Sequence, residues 1–240
     1  MTGALEGKWA VVTGGSRGIG RAIVERLSRD GATVVFGYRS REDEARAVEK
    51  ATGTARAVRA DLGAPDGVAR LFEGVPELDI LVNNAAASFT PTPVAEVTAE
   101  EYDRIMTVNA RSIFQSIQYA ARHMRDDGRI ITISTLNTAS AAPGASLYCG
   151  SKGAAEQFGA VAAKELGARG ITVNTVSPGA TDTELLRSTN SEANLAMAAQ
   201  LSPLGRLGQP ADIADVVAFL ASPDGRWLTG QNIRAGGGML

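Results

Sequence analysis

The sequence is poor in the residues that build metal sites and disulfides. Cys149 is the single cysteine and His123 the single histidine among 240 residues. One cysteine excludes an intramolecular disulfide and a cysteine-based zinc cage, and one histidine leaves too few imidazole ligands for a histidine-rich metal site. We therefore expect no metal, and any catalysis has to run on other groups.

An excess of one charge and long apolar runs are also missing. The chain carries 24 Lys and Arg against 26 Asp and Glu, a formal net charge of −2 that gives no electrostatic reason to expect nucleic acid. No apolar run reaches the roughly 18 residues that a membrane span needs, and residues 1–8 lack the basic-then-apolar pattern of a signal peptide. These features predict a cytoplasmic protein with a small-molecule ligand and no membrane or nucleic-acid partner.

Short apolar segments alternate with amphipathic helical patterns along the whole chain. Because the segments are apolar on both faces, the alternation predicts strands of a parallel sheet that helices cover on both sides. The predicted strands are 9–13, 33–37, 55–58, 79–83, 129–133, 172–176 and 231–234, and the predicted helices are 19–29, 41–50, 68–72, 102–124, 147–166 and 211–221. We predict one doubly wound α/β domain over residues 1–240, with a mostly parallel seven-stranded sheet.

In such sheets ligands bind at the carboxyl ends of the strands. The polar segment 183–203 lies between one strand end and the last helix. It is either a mobile flap over the site or a surface helix pair without function.

A glycine-rich loop joins the first predicted strand to the first helix. In Thr13-Gly14-Gly15-Ser16-Arg17-Gly18-Ile19-Gly20, glycines permit a tight turn and a close approach to the helix N-terminus, whose free N–H groups favour an anion. This predicts a dinucleotide cradle, and the alternative is a turn needed only for packing. The Gly-x-x-x-Gly-x-Gly spacing differs from the general Gly-x-Gly-x-x-Gly fingerprint.

The loop resembles the cofactor loop of the short-chain dehydrogenases/reductases, and the likeness continues over nearly the whole chain. The further matching elements are Asp61-Leu62, Asn83-Asn84-Ala85-Ala86, Asn109, Tyr148-x-x-x-Lys152, Pro178-Gly179, the segment 203–208 and Gly236-Gly237-Gly238. The regions 203–221 and 229–238 are most similar to bacterial 3-oxoacyl-carrier-protein reductases. The resemblance implies a Rossmann-type fold, a homotetramer and dinucleotide-dependent redox chemistry.

The end of the second strand predicts which dinucleotide is used. An acidic residue there would hold the ribose hydroxyls of NAD, but the chain has Tyr38-Arg39-Ser40. Arg39 and Arg17 carry planar guanidinium groups that suit a 2′-phosphate, so we expect NADP(H) in preference to NAD(H). The alternative is that both arginines are solvated surface charges.

The resemblance also implies contacts for individual residues. It implies that Asp61 contacts the adenine edge, that Asn84 shapes the cofactor groove and that Thr183 holds the nicotinamide amide. The full predicted cofactor set is Gly14, Ser16, Arg17, Gly18, Ile19, Gly20, Tyr38, Arg39, Ser40, Asp61, Leu62, Asn84, Ala85, Ala86, Tyr148, Lys152, Pro178, Gly179, Thr181 and Thr183.

Tyr148 and Lys152 are the centre of the predicted chemistry. They lie four residues apart at the start of a predicted helix and therefore project from one face. A neighbouring ammonium group and an oxidised nicotinamide both favour the phenolate, so we expect a lowered tyrosine pKa. Tyr148 would protonate a carbonyl oxygen during reduction and act as a base in the reverse direction, while Lys152 also holds the nicotinamide ribose.

Two further residues complete the predicted catalytic group. The family has a serine thirteen residues before the tyrosine, and this chain has Thr135 there, which keeps the hydroxyl but adds a methyl group that narrows the pocket. Ser134 is the rival, although strand alternation turns it to the opposite face. By resemblance Asn109 holds a water linking Lys152 to solvent, and its other interpretation is a local helix kink.

These features predict an oxidoreductase that reduces a ketone or an acyl-carrier-linked 3-oxoacyl substrate. One alternative is an NAD(P)-dependent dehydrogenase of a sugar, polyol or other alcohol. Another is a regulatory protein that binds a dinucleotide without catalysis, for which Thr135 is the one hint.

Overall fold

The strands form in segments whose side chains are buried on both faces of one sheet. A computed structural model describes residues 3–240. Its strands are β1 (Trp9–Val12), β2 (Thr33–Tyr38), β3 (Arg56–Arg59), β4 (Leu78–Asn83), β5 (Met124–Ile133), β6 (Thr172–Pro178) and β7 (Asn232–Ala235). The predicted strands are all present, with shifts at their ends.

The sheet has seven strands in the order β3-β2-β1-β4-β5-β6-β7. Each neighbouring pair within residues 3–240 is parallel, so the sheet is fully parallel where the sequence predicted a mostly parallel one. The strand order reverses between β1 and β4. A crevice that suits a dinucleotide forms at such a switch point.

Helices cover both faces of the sheet. They are α1 (Gly18–Arg29), α2 (Glu42–Thr52), α3 (Gly67–Phe72), α4 (Ala99–Met106), α5 (Ser112–His123), α6 (Ser146–Leu166), α7 (Glu184–Thr189), α8 (Glu192–Leu201) and α9 (Pro210–Ala221). Ala10 and Val12 join a core cluster with α1, α2 and α9, while Val11 joins a second cluster with α5 and α6. This alternation explains the continuous apolar pattern of the strands.

The predicted single helix over 102–124 is wrong in detail. The chain forms α4, then a π-helical turn at Thr107–Arg111, then α5. The turn contains Asn109, whose fully buried amide makes tertiary hydrogen bonds, and π-turns are frequent at functional sites. Asn109 thus interrupts the regular α-helix at the position where the sequence suggests a local irregularity.

Strand β5 begins five residues earlier than the predicted start at 129. Met124 pairs with Leu78 across a register shift, and Asp127 adopts a left-handed φ of 60°. Arg169 donates to the carbonyl oxygens of Met124 and Ala121 at the end of α5. These long-range contacts determine where β5 begins, and no local sequence pattern indicates them.

The segment 183–203 contains the two short helices α7 and α8. Leu195 is the buried residue of α8, while Met197 and Leu201 are exposed. The segment is thus a helix pair on the surface near the strand ends. Among residues 3–240, no helix combines the length and apolar character that a membrane crossing requires.

Candidate active site

The predicted site residues gather at the carboxyl edge of the sheet. Strands β1, β2, β4, β5 and β6 all end at this edge because they run parallel. The predicted cofactor residues that follow or end these strands therefore lie along one line; besides the glycine loop they include Ser40, Leu62, Asn84, Ala85, Ala86, Pro178 and Gly179.

The glycine loop is shaped by close backbone contacts. Gly14 has a φ of 67°, in the left-handed region that favours glycine. At Gly20, an added Cβ would lie 2.1 Å from the Gly14 carbonyl oxygen and 2.4 Å from Asn84 Nδ2. The turn thus needs a residue without a side chain at Gly20.

The amino end of α1 is open toward this edge. Arg17 occupies the N-cap with extended backbone, and within the described chain no side chain caps the helix there. The first-turn N–H groups, together with the helix dipole, form a site for an anion such as a pyrophosphate. The loop therefore fits the phosphates of a dinucleotide.

Asn84 ties the end of β4 to this loop. Its Nδ2 donates to the carbonyl oxygens of Thr13 and Gly14, at 3.0 Å each. In return, Thr13 Oγ1 accepts from the backbone N–H groups of Asn84 and Ala85 at 2.9 Å. These four hydrogen bonds hold the floor of the groove.

Four other predicted cofactor residues already have protein partners. Asp61 accepts from Gly63 N at 2.9 Å, and Thr183 caps α7 by accepting from Leu186 N at 3.2 Å. Thr181 is buried and forms a bridge with Gly208. The Tyr38 ring is 7% exposed and lies in the core, so little more than its backbone reaches the groove.

Three arginines line the end of β2 and the glycine loop. Arg17 Nη1 and Arg41 Nη2 donate to the two carboxylate oxygens of Glu184 at 3.1 and 3.0 Å. Arg39 is exposed and has no ion pair within residues 3–240. Arg41 and Glu184 are not among the residues predicted from sequence, because their pairing depends on where α7 lies over the loop.

Tyr148 and Lys152 project from one face of α6, as predicted. The Tyr148 ring stacks on Phe89 with 4.6 Å between centroids and 13° between planes. Lys152 is 1% exposed, and its Nζ donates to the Ile133 carbonyl oxygen at 2.7 Å. The end of β5 and the start of α6 therefore share a buried polar contact.

The pKa of Tyr148 differs from the sequence-based expectation. Burial raises it, while a hydrogen bond from Thr135 acts in the opposite direction. Burial also lowers the pKa of Lys152 to about 8, and the Glu156 carboxylate opposes that change. The sequence predicts that the ammonium group lowers the tyrosine pKa, but desolvation of the phenol is the larger effect here.

Thr135 and Ser134 point to different partners, as strand alternation predicts. Both are buried at the end of β5. The Thr135 hydroxyl reaches Tyr148, whereas Ser134 Oγ donates to Glu156 Oε1 at 2.5 Å. Thr135 thus stands next to the tyrosine hydroxyl, and Ser134 does not.

Asn109 connects two walls of the site. Its Oδ1 accepts from Ala87 N at 2.7 Å, and its Nδ2 donates to Ser151 Oγ at 3.2 Å. Ser151 in turn donates to the Tyr148 carbonyl oxygen at 2.9 Å. The amide therefore links the segment after β4 to the first turn of α6.

A parallel α/β sheet with an anion cradle at its switch point and a buried tyrosine and lysine pair defines a dinucleotide-dependent oxidoreductase. Residues 14–240 match the family described as Enoyl-(Acyl carrier protein) reductase. The chain belongs to the short-chain dehydrogenase/reductase family.

Similar proteins cover the full length of the chain. It is 44% identical over 246 residues to an uncharacterized oxidoreductase of Methylorubrum extorquens, with 98% of each chain covered. It is 42% identical to versicolorin reductase of Emericella nidulans, covering 98% of this chain and 96% of the relative.

Solved structures add the cofactor. An angucycline C-6 ketoreductase with bound NADP shares 45% identity and a TM-score of 0.92, covering 100% of this chain and 98% of the other. A landomycin C-6 ketoreductase with bound NADP and rabelomycin gives a TM-score of 0.88 at 45% identity, covering 99% and 98%. The chain is an NADP(H)-dependent carbonyl reductase, and the predicted reaction class and cofactor are confirmed.

Proposed function

We propose that the chain reduces a ketone on a flat, fused-ring aromatic compound, with Tyr148 as the proton donor. The observation that carries this proposal is the parallel stack of Phe89 on Tyr148. Aromatic faces bind other aromatic faces by offset stacking. A flat substrate can lie against this pair with its carbonyl oxygen at the tyrosine hydroxyl.

The two loops next to Phe89 and Tyr148 are joined to each other. Thr92 N donates to the Gly144 carbonyl oxygen at 2.9 Å, which joins the loop after Phe89 to the loop before α6. The similar tetrahydroxynaphthalene reductase of Pyricularia oryzae is named for a naphthalene, which is a flat fused-ring aromatic. Together with the stack of Phe89 on Tyr148, this name favours a fused-ring ketone.

The second candidate is an acyl-carrier-linked 3-oxoacyl substrate, which the description of the matching family favours. The net charge of −2 offers no overall attraction to an acidic carrier. A direct comparison of a fused-ring ketone with a 3-oxoacyl thioester decides between the two.

The buried groups of this chain supply the proton and hold the carbonyl. When bound, NADPH supplies the hydride. A tyrosine phenol is protonated at neutral pH, burial raises the pKa of Tyr148 further, and the protonated phenol is the form that donates to a carbonyl oxygen. Thr135 is placed to donate a hydrogen bond to the same oxygen.

Lys152 and Asn109 support this pair. Lys152 carries its charge one helical turn from Tyr148, where it favours negative charge on the phenol oxygen after proton transfer. Asn109 fixes the first turn of α6 through Ser151. The side-chain amide of Asn109 already accepts one hydrogen bond and donates another within the protein. The backbone carbonyl group of Asn109 is therefore the group that would bind the water that the family resemblance implies.

The raised pKa of Tyr148 bears on the direction of the reaction. Oxidation of an alcohol needs the deprotonated phenol, whereas reduction needs the protonated one. The alcohol dehydrogenase alternative uses the same residues, with Tyr148 as the base. It stays open as the reverse reaction at alkaline pH.

Phe89→Leu tests the substrate class. Leucine keeps the apolar bulk but removes the ring, so we expect KM for a fused-ring ketone to rise by up to about tenfold, which corresponds to about 0.5–1.5 kcal/mol for an aromatic pair. KM for a small aliphatic ketone should not change. Phe114→Leu, on the exposed face of α5, is the control. Equal effects of Phe89→Leu on both ketones would contradict a stacking role.

Arg39→Asp tests the assignment of the 2′-phosphate site. Loss of a charge-assisted hydrogen bond costs about 1.5–3 kcal/mol, so we expect the Kd of NADPH to rise by about 10- to 100-fold. The Kd of NADH, measured by the same fluorescence titration, should change little. Arg122→Asp makes the same charge change on the exposed end of α5 and serves as the control. An equal loss for both cofactors would remove Arg39 from the phosphate site.

The assembly, the location and the flap remain proposals. Exposed apolar side chains on α5, α6 and α9 and in the segment just before the edge strand β7 support a homotetramer, since such surfaces mark contacts between chains; they are Phe114, Val161, Phe219 and Trp227. The cytoplasmic location stays a prediction.

The ion pairs of Glu184 with the arginines of the glycine loop and β2 support closure of the segment 183–203 over the cofactor.

A further inference from the structure

Glu156 lies where the end of β5 meets α6. Two hydroxyl groups converge on its Oε1, from Ser134 at 2.5 Å and from Thr138 at 2.7 Å. Ser134 directly precedes Thr135, and Thr138 closes the turn that follows it. The Glu156 carboxylate therefore accepts hydrogen bonds from residues on both sides of Thr135 and holds this segment against α6.

The Thr138 hydroxyl also touches this segment directly. It lies 3.0 Å from the Thr135 carbonyl oxygen and can donate its one proton either there or to Glu156. The Thr135 hydroxyl accepts from Asn137 N at 3.2 Å and reaches Tyr148. The position of the Thr135 side chain thus depends on a turn that Glu156 anchors to α6.

Glu156 also lies one helical turn beyond Lys152. Lys152 is fully buried and, in the described chain, has no carboxylate within ion-pair distance. Burial of an ammonium group disfavours its charge, and the Glu156 carboxylate is the group that opposes this effect. Positions 148, 152 and 156 are spaced four residues apart on one face of α6, so the three side chains follow one another along the helix.

We propose that Glu156 is a positioning residue of the reductase site, which anchors the Thr135 turn to α6 and places a negative charge one helical turn from Lys152. The proposal rests on the proposed function, because it assigns Glu156 a role through Thr135, Tyr148 and Lys152. Glu156 itself touches neither substrate nor cofactor in this scheme.

Few other charged groups face Lys152. Tyr148 and Glu156 belong to its own helix, β6 has no titratable residue, and the contacts from the end of β5 are uncharged. The neighbouring α4 and π-turn carry their charges at exposed or partly exposed positions, namely Glu100, Glu101, Asp103, Arg104 and Arg111. Removal of the Glu156 charge should therefore change the electrostatic environment of Lys152, because few other charged groups face Lys152.

Glu156→Gln separates charge from anchoring. The glutamine amide oxygen can still accept the two hydroxyl protons, so the turn is retained while the charge is lost. With Lys152 losing its proton as the pH rises through about 8, kcat for ketone reduction should fall above that pH in the native chain. In Glu156→Gln this decline should start at a lower pH than in the native chain, with kcat at pH 6 little changed.

The double variant Ser134→Ala with Thr138→Val tests the anchor and keeps the charge. We expect kcat to fall while KM and Kd for NADPH and the alkaline decline stay as in the native chain. Glu165→Gln, an exposed glutamate on the same helix, is the control for charge removal. Circular dichroism and the NADPH titration establish that each variant is folded.

The outcomes are distinguishable. If the native chain reduces no ketone, the proposed function fails. If the native chain is active and the pH profile of Glu156→Gln superimposes on it, the charge role is overturned. An active double variant with native kcat would overturn the anchoring role. A variant that reduces NADPH affinity and melting temperature without changing the pH profile would show Glu156 to be merely structural.

Discussion

Tyr148→Phe should reduce kcat for ketone reduction by about 10²- to 10⁴-fold, the usual contribution of a positioned general acid. Phenylalanine retains the ring that stacks on Phe89 and loses only the hydroxyl. Without the phenol, a less well placed donor such as water would have to supply the proton. NADPH binding, followed by cofactor fluorescence, should be retained.

The variant also has a matched control. Tyr119 stacks on Phe72 with 4.0 Å between ring centroids, remote from the strand ends that form the site. Tyr119→Phe removes a hydroxyl from a stacked tyrosine in the same way and should leave kcat unchanged. Removal of one hydroxyl that lies next to Thr135 costs at most about 0.5–1.5 kcal/mol, the contribution of a typical hydrogen bond, which is too little to unfold the chain. Native turnover by Tyr148→Phe would remove Tyr148 from the chemistry.

Gly20→Ala should weaken NADPH binding by about 10- to 100-fold. The new Cβ would overlap the Gly14 carbonyl oxygen, which belongs to backbone and cannot rotate away. Such overpacking costs about 1–3 kcal/mol, and the cost falls on the loop that receives the cofactor phosphates. It should also displace Asn84 Nδ2 from its two carbonyl partners.

Two measurements separate stability from binding in this variant. For a chain of this size, each kcal/mol lowers Tm by about 2–4 °C, so differential scanning fluorimetry without NADPH reports the structural cost. The increase in Tm on adding NADPH reports binding and should be smaller in Gly20→Ala than in the native chain. Gly167 has an ordinary helical φ of −59° and no atom within 4 Å of its added Cβ, so Gly167→Ala should change neither quantity adversely. A full cofactor response in Gly20→Ala would show that the loop does not bind phosphate.

The fold and much of the site could be predicted from local patterns. Apolar runs on both faces and helical periodicity report burial directly, so all seven strands and the doubly wound arrangement follow from sequence. The spacing of Tyr148 and Lys152 places them on one face of any helix, and strand alternation separates Thr135 from Ser134. Strand order and the fully parallel pairing confirm that the glycine loop and this pair share one edge.

Residues whose role depends on distant contacts could not be found in this way. From sequence, Glu156 cannot be distinguished from an ordinary glutamate on a helix surface. Its contacts exist only in the folded chain, where the end of β5 places Ser134 and the following turn against it. Arg41 and Glu184 are separated by 143 positions and meet only because α7 lies over the glycine loop. The early start of β5 depends in the same way on Arg169.

The sequence by itself determined which groups carry the chemistry, because residue type and spacing decide what a helix face or a strand end presents. Only the tertiary structure decided their protonation. Burial raises the pKa of Tyr148 and lowers that of Lys152, opposite to the shift that the neighbouring charges alone predict for the tyrosine. Desolvation depends on every element packed around a group, and that environment exists only once the sheet and its helices have assembled.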